Sequence, residues 1–185
     1  MKRIKKGTYG YIAFQRKVEI AKTIIMLALS FGLYNLGIYS TGSNKNLLTL
    51  FAVLGCLPMA KFCVNAIMFI RAKGCSEELY NKLAGKNLSA DFYDLYFTAF
   101  KKNYQVSALT YKRKSLIGVS EDENIDIAEA EAHLKAVLEN AGAKDATVKI
   151  FKDTDKFIDR LSELSSLEED NDNAFIKDNI LGVSL

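Results

Sequence analysis

Two long apolar stretches dominate the first part of the chain. Residues 20–39 read IAKTIIMLALSFGLYNLGIY, and a second run extends from Leu47 to about Ile70 within NLLTLFAVLGCLPMAKFCVNAIMFIRAK. Each reaches the roughly 20 residues that a helix needs to cross a hydrocarbon core. Neither carries the polar stripe by which a surface helix of a soluble domain faces water. The pattern predicts two transmembrane helices joined by the tight polar loop STGSNKN. A cleaved signal peptide is a poor fit for the first run: its apolar core is too long, no A-x-A-like site follows Tyr39, and a second span comes at once.

Beyond Lys73 the periodicity changes. CSEELYNKLAGKN predicts a helix of about three turns, with Ser76 as N-cap and Gly85 near its end. DFYDLYFTAF, NYQVSALTY and KSLIGVS are rich in aromatic and β-branched residues and are punctuated by Lys101-Lys102-Asn103 and Lys112-Arg113-Lys114. They predict a three-stranded antiparallel meander, the first segment having a helical alternative. In SEDENIDIAEAEAHLKAVLENAG, Ser120 with Glu123 offers a capping box, and Ile127, Leu134, Leu138 and Ala141 form one apolar stripe ending at Gly142. ATVKIF then reads as a strand and DTDKFIDRLSEL as an amphipathic helix. The tail FIKDNILGVSL follows the acidic LEEDNDN and is expected to add an edge strand or a short helix. The fold class is a membrane α-helical hairpin plus a cytoplasmic α+β domain of order α-βββ-α-β-α. Its parts are a basic juxtamembrane segment (1–19), the two-helix hairpin (20–72), the α+β domain (73–166), and an acidic linker with C-terminal tail (167–185).

Charge orients this arrangement. Residues 1–114 hold 18 Lys/Arg against 5 Asp/Glu, and residues 115–185 hold 7 against 17. Lys2, Arg3, Lys5, Lys6, Arg16 and Lys17 precede the first span, Arg71 and Lys73 follow the second, and the loop has only Lys45. The excess of cations on one side predicts cytoplasmic termini. It also makes anionic lipid headgroups the expected partner of those eight residues. Nucleic-acid binding is the less favoured use of these clusters, because Lys101-Lys102 and Lys112–Lys114 project from opposite ends of the meander. Lys22, in the first turn of its span, is placed to snorkel to the inner headgroups.

Inside the apolar runs three features stand out. Pro58, the only proline, removes one backbone bond and frees the carbonyl of Leu54, which predicts a kink. Lys61 and Asn65 share a face one turn further on. If the hydrocarbon ends near Ala66, Lys61 snorkels; if it runs to Ile70, the charge lies near mid-membrane and needs a partner that neither span supplies. Ala52, Cys56 and Ala60 form a small-xxx-small ladder, with Ala28 and Gly32 a shorter one. Two readings stay open for these ladders, packing of the two spans in one chain and a seam between copies in a homo-oligomer.

GTYGYIAFQRK followed by NKNLLTLFAVLGCLPMAKFCVNAIMFI resembles an uncharacterised family of small two-span membrane proteins of Gram-positive anaerobic bacteria, over residues 5–72. The resemblance implies a bacterial plasma membrane and carries no activity with it.

Catalytic signatures are weak. The three cysteines, Cys56, Cys63 and Cys75, have no metal-knuckle spacing and fit free thiols of a reducing compartment. The αβββαβ order overlaps the core of restriction-endonuclease-like nucleases, but the second and third strands lack the metal-binding acids, and Asp91 and Asp94 come one strand too early. His133, the only histidine, has neither a cysteine nor a second histidine nearby. Asp122, Asn124 and Asp126 imitate the opening of a calcium loop, yet Ile127 stands where glycine is required and His133 where glutamate is. GTYG is not followed by the elements of a phosphate loop. No catalytic residue, metal or cofactor is therefore expected. The expected function is that of a membrane-anchored scaffold or regulatory protein with an unknown protein partner. The alternatives are a tethered, nuclease-like enzyme and a small oligomeric channel or transporter subunit built around Lys61.

Overall fold

The computed structural model describes residues 4–98, 102–166 and 173–185; Lys2, Arg3, Lys101 and most of the acidic linker lie outside them. The chain divides into two compact units. One is the helical segment Ile12–Ala72. The other joins the described residues up to Tyr11 with Lys73–Leu185.

In the helical unit, α1 (Tyr11–Thr41) and α2 (Leu47–Arg71) are both long and apolar enough to cross a membrane. Helix α1 starts nine residues before its apolar run. Nothing between Tyr11 and Phe31 breaks a helix, and side-chain pairs at helical spacing, Gln15 with Glu19 and Glu19 with Lys22, carry it through the charged region. Asn46 caps α2 by accepting from Thr49 N at 2.8 Å, while its Nδ2 donates to Ser43 O and Thr41 Oγ1, so the loop closes on its own polar groups. Helix α2 continues through Pro58.

The second unit is built on a four-stranded mixed sheet. Strands β1 (Phe92–Thr98), β2 (Asn103–Lys112) and β3 (Ser115–Val119) form the antiparallel meander, and β4 (Thr147–Phe151) lies parallel to β3, giving the order β1-β2-β3-β4. The β2–β3 turn places Arg113 and Lys114 at φ +48° and +59°, the left-handed pair of a two-residue hairpin. Helix α4 (Ile127–Asn140) makes the crossover that a parallel pair requires. It packs Ala130, Leu134 and Leu138 on one face of the sheet, with Phe92, Leu95, Phe97, Val106, Leu109 and Leu116. The opposite face takes α3 (Glu77–Gly85) through Leu79 and Leu83, and α5 (Thr154–Ser165) through Phe157, Ile158 and Leu161. Helix α6 (Asn173–Val183) adds Ile180 to the α4 side, and the residue after it, Ser184, bridges to Phe97; the tail is thus both a helix and an edge contact.

Several caps fall where their side chains predict. Ser76 accepts from Leu79 N at the start of α3, and Gly142 takes φ +89° just beyond α4. The start of α4 differs from the sequence expectation. Its N-cap is Asp126, which accepts from Glu129 N, and not Ser120. Ser120 is buried at the end of β3, where its hydroxyl accepts from Asp122 N and initiates a turn that buries Ile125. The capping-box spacing was therefore used by a turn.

The sheet shifts phase in its middle. Phe92 and Leu95 face the same core although three residues apart, as do Val106 and Leu109 on the neighbouring strand. Strict alternation would place them on opposite faces. The change occurs at Asp94 and Ser107, the pair missing from an otherwise continuous register, and Asp94 sits at φ +56°. Asp tolerates the left-handed region better than a β-branched residue would. Its carboxylate accepts from Cys75 N at 2.6 Å, which ties the distortion to the segment leading into α3.

Both sheet edges are occupied. Along β1, Tyr93 N donates to Gly7 O and Leu185 N to Tyr96 O, each at 2.8 Å. Gly7 is needed there: its φ is +80°, and a Cβ would lie 2.7 Å from Leu181 and 3.0 Å from Phe92. On β4, Ile150 N donates to the Glu131 carboxylate at 2.8 Å, so a side chain blocks the place of an added strand.

Gly118 in β3 sets a packing limit, since a Cβ would lie 2.8 Å from Leu109 Cδ1 and 3.1 Å from Val106 Cγ1. Gly118→Ala is expected to destabilise this unit by about 1–3 kcal/mol through overpacking. Urea unfolding of the two proteins measures it; an unchanged midpoint would contradict this packing.

Candidate functional site

The most unusual chemistry lies at one end of the hairpin. Arg16 donates from Nε to Phe69 O at 2.9 Å and from Nη2 to Ala72 O at 2.8 Å. The last carbonyls of a helix lack intrahelical partners and carry the negative end of its dipole. A guanidinium answers both with directed donors. One turn along, Glu19 is buried, at 3% exposure, and its Oε1 accepts from Lys22 Nζ at 2.7 Å and Gln15 Nε2 at 3.0 Å, whereas Oε2 has no hydrogen-bond partner among the described residues. The Lys22 ammonium also lies 5.6 Å from the centre of the Phe62 ring, a cation–π distance.

The contacts further along fix the antiparallel register. Ser30 Oγ occupies the notch over Gly55, where a Cβ would come within 2.7 Å of it, and Gly37 meets Asn46 in the same way. Arg16 is thus level with Phe69, Lys22 with Phe62, Ser30 with Gly55, and Gly37 with Asn46. Ala52 and Ala66 are also buried, whereas Cys56, Ala60 and Ala28 are exposed and Gly32 is half-buried. The close approach therefore runs mainly through Gly55 and Gly37, which do not form a four-residue ladder with the small residues expected to make it. Between the helices Leu27, Ser30, Phe31, Tyr34, Ala52 and Cys56 line an open groove of about 210 Å³.

The eight expected headgroup cations separate into groups. Lys6 donates to Ser184 O at 2.6 Å, and burial lowers its pKa. Arg16 is engaged on α2 as described. Lys5, Lys17, Arg71 and Lys73 have exposed side chains, and Lys2 and Arg3 lie outside the described residues. Of the residues expected inside a membrane, Lys61 and Pro58 are exposed and Asn65 is half-buried.

In the other unit, polar groups cluster beside the segment that enters α3. Asp94 holds Cys75 N, Gln105 Oε1 accepts from Lys73 N at 3.0 Å, and the Glu121 carboxylate accepts from both Ser76 N and Ser76 Oγ. Ser107 is fully buried, and its hydroxyl has no partner among the described residues. Tyr9 stacks on Tyr80 at 4.1 Å, and Tyr80 meets Tyr93 edge-on at 5.5 Å. Burial first, then the negative charges of Glu121 and Asp94, push the Cys75 thiol up to about 12. Such a thiol is a packing group and not a nucleophile. Asp91 accepts from Lys177 Nζ and Tyr111 N, so its carboxylate serves the β1–β2 edge and α6. No group of three His, Cys, Asp or Glu among the described residues is placed to hold a metal. His133 lies between the rings of Phe97 and Tyr104, its Nε2 without a hydrogen-bond partner among the described residues.

Two outcomes follow from these contacts. Arg16→Leu is expected to weaken the α2 terminus by about 2 kcal/mol, the order of a hydrogen bond to a charged group. Hydrogen exchange at residues 69–73 should accelerate; unchanged protection would mean that Arg16 does not hold that end. The second concerns alkaline stability. Cys75 stays protonated in the fold while an unfolded thiol ionises near 9, so its contribution is complete below about pH 9 and declines toward pH 12. Urea midpoints across that range should fall less steeply for Cys75→Ala than for the parent chain, in which Tyr9 and Tyr93, also raised by burial, add to the decline. Parallel curves would contradict a raised thiol. No family model, curated protein or solved structure matches this chain.

Proposed function

We propose that this chain is a bacterial plasma-membrane protein whose hairpin spans the bilayer with both termini cytoplasmic, and whose α/β unit is a binding module. It scaffolds or regulates a membrane complex through an as yet unidentified protein partner. The observation that carries the reading is the distribution of apolar surface. Among the described residues every exposed large apolar side chain except Phe175 and Val183 lies on α1 or α2. A soluble protein does not leave so continuous an apolar surface to water, whereas lipid accepts it on all sides of a helix pair. Clusters of Lys and Arg on the terminal side of both helices support the orientation.

The experiment is chemical cross-linking in native membranes followed by purification. The reading predicts retention in the membrane after alkaline carbonate washing, and a specific protein cross-linked through the α/β unit. Release by carbonate would remove the anchor; a clean cross-link to lipid alone would remove the scaffold.

A tethered nuclease-like enzyme is the second reading, favoured by the element order α3-β1-β2-β3-α4-β4. Asp91 and Asp94 are each committed to structural partners in the fold. This reading requires divalent-metal-dependent cleavage of nucleic acid that Asp94→Asn abolishes, and absence of cleavage by the purified protein ends it.

A further inference from the structure

The antiparallel register of the hairpin sets its two helices in conflict. Helix α2 is free of charge from Phe62 to Ile70 and apolar there except for Asn65, but the part of α1 level with that stretch contains Arg16, Lys17, Glu19 and Lys22. A bilayer presents one depth to both helices. Either the hydrocarbon reaches Ile70 and takes in the charged segment of α1, or it ends near Lys22 and leaves the last turns of α2 among the headgroups. The exposed apolar band of α1 decides between them: it runs from Ile24 to Tyr39 and stops at Lys22. On α2 the same level is marked by Lys61, which is exposed and has no ion-pair partner among the described residues.

We propose that the inner headgroup layer descends to the level of Lys22 and Lys61, and that these two lysines bind lipid phosphates there. The inference rests on the membrane reading above. Glu19 and Phe62 hold the Lys22 ammonium at that level, and Lys61 presents a free ammonium from the neighbouring helix. Such a hairpin offers a hydrocarbon-facing band of about 24 Å on α1, from 16 residues at 1.5 Å each, against a usual core of about 30 Å. It locally thins the bilayer that holds it or favours thin ones. Val64, Ile67 and Ile70 then lie in the interfacial zone, where half-exposed aliphatic groups are tolerated.

The chain carries its own probes, because Cys56 and Cys63 are both exposed on α2 and lie on opposite sides of Lys61. Cleavage at Lys45, Lys61 and Arg71 separates them into different peptides. The full-length protein in lipid nanodiscs, open to solvent on both faces, is treated with a membrane-impermeant maleimide and each rate is divided by that in denaturing detergent. Labelling of Cys63 at least tenfold faster than Cys56 is expected. Equal protection of both would place the boundary near Ile70 and overturn this inference while leaving the spanning hairpin intact. Equal labelling of both at the denatured rate would overturn the membrane reading itself. In the variant Lys22→Gln with Lys61→Gln, carried on Cys56→Ser because cleavage at position 61 is lost, hydrocarbon should close over the site and slow Cys63 severalfold toward the rate of Cys56 in the parent chain; an unchanged rate would show that the lysines do not hold the headgroups.

Discussion

Arg16 donates two hydrogen bonds to the last carbonyls of α2, and the geometry of the helical unit depends on the register this contact fixes. A guanidinium is suited to the task because its donors are fixed in a plane and its charge is weakly hydrated. With Arg16 level with Phe69, the Ser30 hydroxyl falls over Gly55 and Gly37 over Asn46, positions where any side chain would collide. Sliding α2 by one turn would lose the capped carbonyls and bring Phe51 or Met59 against Ser30 in place of Gly55. The small residues permit the approach, and the arginine selects which approach is made.

The same register gives the polar residues their consequence. Placing a lysine, arginine or acid at the bilayer centre costs about 2.5–3.5 kcal/mol each on insertion scales. Fully burying a Val, Leu or Ile is worth about 1.5–3 kcal/mol, and the exposed α2 residues beyond Lys61 are only about half uncovered. Lys17 and Lys61, which have no ion pair among the described residues, are enough to outweigh the half-uncovered Val64, Ile67 and Ile70. On the proposed membrane reading, electrostatics therefore sets the inner boundary of the hairpin, and the apolar length of α2 taken alone overstates its span.

The α/β unit shows which parts of such a chain are legible from residues alone. Strands with β-branched and aromatic runs, caps such as Ser76 and Gly142, and the meander itself follow from local chemistry and short contacts. The starts of α1 and α4 do not. Continued side-chain pairing extended α1 by nine residues, and a turn competed for the Ser120 cap. The phase shift at Asp94 was hidden because only the paired strands reveal that the alternation breaks on both at once. Among the hairpin residues, Pro58, Lys61 and Asn65 attract notice by being polar or rigid in an apolar run. Arg16 and Glu19 sit in a segment that reads as a juxtamembrane anchor, and the role of Arg16 depends on residues more than fifty positions away. Gly37 and Gly55 belong to no spacing motif with their neighbours; their value appears only when the facing helix is in place.

The segments flanking the hairpin are also more than tethers. Gly7 and Ser184–Leu185 occupy the open edge of β1, and Glu131 occupies that of β4, so the sheet is closed to further strands on both sides. A partner of this unit is therefore expected to bind helices or loops, not to extend the sheet. The central claim, a hairpin whose bilayer depth is set by its charges, is tested most directly by spin labels placed singly at Leu50, Leu57, Val64 and Ile70 in nanodiscs. The account predicts greater accessibility to oxygen than to a water-soluble nickel complex at Leu50 and Leu57, reversing by Ile70. Dominance of the nickel complex at all four sites, or of oxygen through Ile70, would contradict it.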